Sequence, residues 1–237
     1  MQSAAGSSFP SDNATGPEVA VTSAADRVFR LLVETNNDSI IGGSAFLVSG
    51  SRILATNYHV IQDGITFHIG TVDSAGNIRS IPARIVASYP QKDLALVEAL
   101  DDLPGQPLEL EGRYPNLAQE LFAIGFPAAA DIHDIVGDTP FGDPMFFAPS
   151  VLNGYVSRVL KNRWFRNQLQ HQTPIIPGYS GGPLISPKGG VIGISTSIHK
   201  EANGISYAVL AADLIDLLNA CSLPVRILSP SPHTSTA

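Results

Sequence analysis

The chain is poor in several features that would assign it to a class at once. Only one of its 237 residues, Cys221, is a cysteine, which excludes an internal disulfide framework and any multi-cysteine metal site. Cys221 follows an apolar helical pattern, where a small buried hydrophobe is the ordinary role and redox chemistry the exceptional one. Basic residues are scarce: 14 Lys and Arg stand against 21 Asp and Glu, for a formal net charge of −7. Proteins that grip nucleic acid carry a basic face, so no nucleic-acid partner is expected. Apolar runs of 18 or more residues are missing, so no membrane span is expected either. The opening "MQSAAGSSFPSDNATGPEVAV" has no basic segment leading into an apolar one and reads as no intact signal peptide. A leader already removed, with a start methionine in its place, would leave such an opening.

What the chain does have is apolar sequence in short pieces. Hydrophobic residues make up 44%, enough for a packed core and too many for a disordered chain. From "RVFRLLVET" onward they come as "SAFLVS", "RILATN", "ITFHIG", "ARIVAS", "LALVEAL", "ELFAIGFP", "GYVSRVL", "PLISPKGGVIGISTSI" and "GISYAVLA", separated by Gly, Pro, Asn and Asp. Many short strands with turn signals between them predict an all-β barrel or sandwich. "SPKGGV" reads as a hairpin turn in which Gly189 and Gly190 supply positive φ. One segment is helical in period: Leu210, Leu214, Leu217, Leu218 and Cys221 recur at three- and four-residue steps over about 210–221. Residues 1–25 are small and polar and read as a flexible lead-in, and 223–237 as a Pro- and Ser-rich tail. The segment 127–150 suits neither strand nor helix. Its Asp131, His133, Asp134, Asp138 and Asp143 match no EF-hand or zinc template, so a solvated acidic loop is expected there and no metal.

The stretch "IIPGYSGGPLIS" (175–186) places Ser180 among glycines. A serine hydroxyl is a poor nucleophile until a base takes its proton, and an imidazole is the usual base near neutral pH. The imidazole then needs a carboxylate to fix its tautomer. Of six histidines, His59 lies directly after an apolar strand in "SRILATNYHV", whereas His68 sits inside a strand and His133 and His233 fall in the acidic loop and the tail. Asp93 in "YPQKDLALVEAL" stands at the start of an apolar strand, where burial demands a partner. Asp63, Asp73, Asp101 and Asp102 look solvated. Gly178 can turn its N–H, together with that of Ser180, toward one point and so form an oxyanion hole.

These blocks, in the order His, Asp, Ser, resemble the trypsin-like (chymotrypsin-fold) serine peptidases, and most of all the bacterial HtrA/Deg-type branch. The resemblance is carried by "GGSAFLVSGSRILATNYHVI", "DLALVE", "LFAIGFP", "LNGYVSRV", "PGYSGGPLIS", "GGVIGISTSI" and "NGISYAVLAADLIDLL", over about residues 27–219. It implies two six-stranded antiparallel β-barrels, about 26–108 and 116–210, with a short C-terminal helix and the site between them. His59 and Asp93 would come from the first barrel and Ser180 from the second. It further implies a serine endopeptidase with an acyl-enzyme intermediate, protein or peptide substrates, no cofactor, room for a homo-oligomer and an extracytoplasmic location. Substrate would lie along "GISTS" (193–197), with Ile175, Ile176, Ile194, Ser195, Thr196 and Ser197 near the specificity pocket and Thr196 or Ser195 bonded to Asp93. No Asp or Glu occurs in 172–180 or 193–198. A small or medium apolar P1 side chain is therefore expected rather than Lys or Arg. His199 offers an acidic P1 as the other reading.

Two departures and one decoy stand out. Tyr179 occupies a position where the HtrA-like branch has Asn and the digestive enzymes an Asp that pairs with a new N-terminus, so activation by N-terminus insertion is not expected. "IIGG" (40–43) imitates such an N-terminus, but it lies too near His59 and runs into the strand before it. No PDZ domain fits after residue 219, so the chain is expected to be a protease domain by itself or a piece that precedes something else. A catalytically silent or partner-activated binding module on the same fold is the alternative.

Overall fold

The computed structural model describes residues 16–37, 39–73, 75–127, 144–160, 168–198 and 204–229. The acidic residues 131–143, His199 and His233 lie outside them.

The first six strands are β1 (Val28–Thr35), β2 (Ile40–Ser49), β3 (Ile53–Thr56), β4 (Gly64–Val72), β5 (Ile78–Tyr89) and β6 (Leu94–Ala99). They close in the order β1-β2-β3-β6-β5-β4. The next six are β7 (Glu120–Gly125), β8 (Ser150–Leu160), β9 (Gln168–His171), β10 (Pro183–Ile185), β11 (Val191–Ile198) and β12 (Ser206–Leu210). They close as β10-β11-β12-β9-β8-β7. All pairings among the described strands are antiparallel. Closure leaves neither sheet an open edge.

The continuous apolar runs follow from burial on both faces of these strands. In β2, Ala45 and Leu47 point into the first barrel, while Phe46 and Val48 join a cluster shared by the two barrels. In β6, Ala95 and Val97 face inward and Leu94 and Leu96 face the shared cluster. In β12, Ala208 and Leu210 fill the second barrel, and Val209 lies in the shared cluster. A strand with one wet face alternates polar and apolar residues, and a strand covered on both faces has no reason to.

The described parts of the expected lead-in and tail are more ordered than their composition suggests. Within the expected lead-in, α1 (Pro17–Ala25) is a helix with proline in its first turn, and its Val21 and Ala24, three residues apart, pack into the shared cluster. Residues 223–229 of the expected tail are docked rather than free. Leu110 donates its N–H to the Arg226 carbonyl (2.8 Å), Leu228 donates to Leu110 (3.0 Å), and Leu223 and Val225 lie against the shared cluster. The C-terminal helix runs over Ala211–Ala220, with Leu210 ending β12. In the "SPKGGV" turn only Gly189 has positive φ, at 87°.

Candidate active site

Strand β3 ends at Thr56 and the chain enters a one-turn helix, α2 (Tyr58–Ile61), with His59 in its second position. The Nδ1 of His59 lies 2.9 and 3.0 Å from the two carboxylate oxygens of Asp93, and the His59 backbone N–H donates to Asp93 Oδ1 at 2.9 Å. With its proton on Nδ1, the imidazole keeps Nε2 as an acceptor on its other side. Asp93 follows a 3₁₀ turn (Pro90–Lys92) and has left-handed backbone angles, φ 54° and ψ 44°. Non-glycine residues hold such angles only where the surroundings fix them. Two contacts do so here. Asn57 donates from Nδ2 to the Asp93 carbonyl at 2.9 Å, and Lys92 is paired with Asp213 of the C-terminal helix at 2.5 Å.

The second barrel closes over this pair. Thr196 on β11 donates its hydroxyl to Asp93 Oδ2, and Ser195 makes no such bond. Burial pushes the Asp93 carboxyl up, but the bonds from the His59 ring and the Thr196 hydroxyl outweigh burial and hold it below its ordinary value. Ser180 sits in the loop before β10, and its hydroxyl donates to the Thr196 carbonyl at 3.3 Å. No hydrogen bond joins Ser180 to His59 among the described residues. In unliganded sites such bonds are often long and tighten only when substrate binds.

Ser44 on β2 anchors the loop that carries Ser180. Its N–H donates to the Ser180 carbonyl (2.9 Å) and its hydroxyl to the Gly178 carbonyl (2.7 Å), while Phe126 donates its N–H to the Ser44 hydroxyl (3.1 Å). Gly178 takes φ 102° and Gly181 φ 86°. A Cβ on Gly181 would lie 2.1 Å from the Ser44 carbonyl, so only glycine fits. Among the described residues the N–H groups of Gly178 and Ser180 donate to nothing, which leaves both available to a ligand oxygen.

Tyr179 points inward. It is 1% exposed, packs with the second barrel's interior residues, and lies against Gly125, where a Cβ would approach its ring to 2.9 Å. Burial pushes its phenol up, opposed by a bond with Ser150. The ring thus anchors the loop by packing, with no ion pair involved. "IIGG" is the first part of β2, with Ile40 opposite Glu34 and Ile41 opposite Val33, so it provides no free terminus.

The residues expected around the specificity pocket are not all brought together. Ile175 is buried within the second barrel and Ile176 is partly exposed just before Pro177. Ile194 is fully buried in the shared cluster. Ser195 is fully buried, and Ser197 is described only through its backbone in β11. Sequence patterns gave no notice of Asn57, Ser44 or the Lys92–Asp213 pair. The one available signal was the row of polar residues in "ATNYHV", placed directly after a buried strand.

Two closed antiparallel barrels, with a histidine–carboxylate pair from the first beside a serine in a glycine-rich loop of the second, define the class of the two-barrel serine hydrolases. Residues 43–194 match the model of the trypsin-like peptidase domain family, and the chain belongs to that family. A probable periplasmic DegP-like serine endoprotease of Pseudomonas fluorescens is 31% identical over 187 residues, which cover 75% of this chain and 34% of that protein. The chain therefore spans about a third of the length of such curated relatives. Among solved structures, the active form of a protease from M. tuberculosis superposes with a TM-score of 0.70 at 15% identity, covering 88% of this chain and 86% of that one. A serine endoprotease from Yersinia pestis gives 0.67 at 24%, covering 89% and 68%. At these identities the structural likeness shows the fold alone.

Proposed function

We propose that the protein is a serine endopeptidase in which Ser180 is the nucleophile, His59 the general base and Asp93 the group that orients it. The observation that carries this reading is the bonding of one carboxylate, Asp93, to both His59 of the first barrel and Thr196 of the second, with Ser180 held on the same Thr196. Ser180 attacks the scissile carbonyl as His59 Nε2 takes its proton. The N–H groups of Gly178 and Ser180 receive the oxyanion, each such donor contributing about 10²–10³-fold. His59 then returns the proton to the leaving amine and activates water against the acyl-enzyme. Ile176 and Pro177 beside the nucleophile loop, with no acidic residue in 172–180, support a small or medium apolar P1 side chain. The relative's name places that protein in the periplasm, and an extracytoplasmic location is part of the same proposal.

A fluorophosphonate probe tests it: wild type is labelled and Ser180→Ala is not. Equal labelling of the two, or none of wild type under any condition, sinks the reading. One observation favours a second version. The Ser180 hydroxyl rests on the Thr196 carbonyl rather than on His59, so a substrate or partner is needed to swing it across. Labelling that begins only after a peptide is added supports this partner-activated form.

A further inference from the structure

We infer that Asn57 is a positioning residue for all three members of the proposed triad; the inference rests on the reading above. Asn57 occupies the N-cap of α2, where an asparagine side chain ordinarily accepts from the helix's own second or third N–H. It makes no such bond. The cap is supplied instead by Asp93, whose Oδ1 accepts the N–H of His59, the second residue of the helix. The catalytic carboxylate thus caps the helix that carries its own histidine. The displaced Asn57 side chain turns back across the seam. Its Nδ2 donates to the Asp93 carbonyl at 2.9 Å, and its Oδ1 accepts the N–H of Gly181 at 2.7 Å. Gly181 shares that N–H with the Ser195 carbonyl at 2.9 Å.

One fully buried amide therefore joins the backbone of the acid, two residues from the base, to the residue after the nucleophile. The two contacts need opposite chemistry. The Asp93 side needs a donor and the Gly181 side an acceptor, and a primary amide supplies both in one plane. The first contact fixes Asp93 in its left-handed conformation, which aims the carboxylate at His59. The second fixes the chain leaving Ser180. Displacement of a catalytic group by about 1 Å can cost on the order of 10²-fold in rate.

The test compares Asn57→Ala and Asn57→Asp with wild type, with rates per site counted by exhaustive fluorophosphonate labelling. Asn57→Ala should lose about 10–100-fold in kcat while KM stays within about threefold. Asn57→Asp adds a distinguishing readout. When ionised, its carboxylate has no donor for the Asp93 carbonyl and competes with Asp93 for the helix cap. When protonated, it is isosteric with asparagine and restores donor and acceptor together. The ratio of its kcat to wild type should therefore rise at least about tenfold from pH 8 to pH 5.5, while the ratio for Asn57→Ala stays flat. A structural role alone lowers the labelled fraction and leaves kcat per site unchanged. Wild-type kcat in Asn57→Ala overturns the inference, as does an aspartate ratio that does not rise as the pH falls. If Asn57→Ala does not fold, the aspartate profile decides by itself. An inactive, unlabelled wild type instead overturns the endopeptidase reading.

Discussion

At the seam between the barrels and inside the second barrel, fully buried polar groups meet opposite fates. Ser44, Thr56 and Asn57 at the seam are all wholly buried and all paired: Ser44 and Asn57 bond to main chain around Ser180 and Asp93, and the Thr56 hydroxyl donates to the Ser44 carbonyl. Inside the second barrel the Thr173 and Ser195 hydroxyls have no partner among the described residues, and the wholly buried His171 ring has the Tyr207 backbone for a polar neighbour but no well-formed side-chain bond. An unpaired buried polar group typically costs about 1–3 kcal/mol, whereas a paired one is close to neutral or favourable. The contrast separates two uses of polarity in one core. At the seam it fixes the relative position of groups that come from different barrels. Within the second barrel the unpaired hydroxyls cost stability, and only the Ser206 hydroxyl among these groups holds main chain, the Thr173 carbonyl at 2.7 Å.

The contrast can be broken at its strongest point first. Asp93→Asn should fold, since its amide oxygen can keep the His59 backbone N–H while the Thr196 hydroxyl turns to accept from the amide nitrogen. It would nevertheless present His59 with an N–H donor and favour the wrong tautomer, lowering kcat by about 10⁴-fold. Steady-state kinetics on a peptide substrate checks this, and a loss below tenfold would show that the seam does not set the tautomer.

Next in size is His171. Burial pushes its imidazole down to about 4, from 6.5, opposed by a hydrogen bond with the Tyr207 backbone. As pH falls from 6.5 the unfolded chain takes up a proton that the native state refuses, and stability drops. Below about 4 the native state binds it as well and the loss stops. The whole span corresponds to about 3 kcal/mol. His171→Leu, of similar volume, should abolish this part of the acid sensitivity. Urea unfolding of both proteins at pH 7 and pH 4.5 measures it, and an equal loss in the two would mean that His171 finds a partner in solution.

The smallest expected effect returns to the seam. Thr196→Val removes one of the hydrogen bonds that hold the Asp93 carboxyl low, while its other donors remain. Kinetics should show about a tenfold fall in kcat, equivalent to ~1.4 kcal/mol and just under the roughly 1.5–3 kcal/mol of a full bond to a charged group. An unchanged kcat would show that the remaining donors suffice.

Much of the architecture could be read from local pattern. Short apolar runs with turn residues between them indicate strands, and the lack of alternation in "SAFLVS" and "LALVEAL" reflects strands covered on both faces. His59, Asp93 and Ser180 were legible because each follows or precedes a strand in a block with few other roles. Ser44 and Asn57 were not, because their partners lie 134 and 124 residues away and no local period encodes such contacts. The helix at Pro17–Ala25 was hidden for a different reason. Only Val21 and Ala24 bury apolar surface there, too little to stand out in a stretch of small residues. The placement of Ile194 was obscured by the change of face along β11, where Ile192 fills the second barrel and Ile194 the shared cluster.

The shared cluster also has a consequence for the order of folding. It takes side chains from β1, β2, β3 and β6 of the first barrel, from β7, β10, β11 and β12 of the second, and from the helix before β1 and the segments after β12. Neither barrel can complete its outer face until the other has docked. The proposed base and its carboxylate belong to one barrel and the nucleophile to the other. The proposed triad is therefore complete only once the barrels have docked, and a chain synthesised as far as residue 170 does not yet contain Ser180.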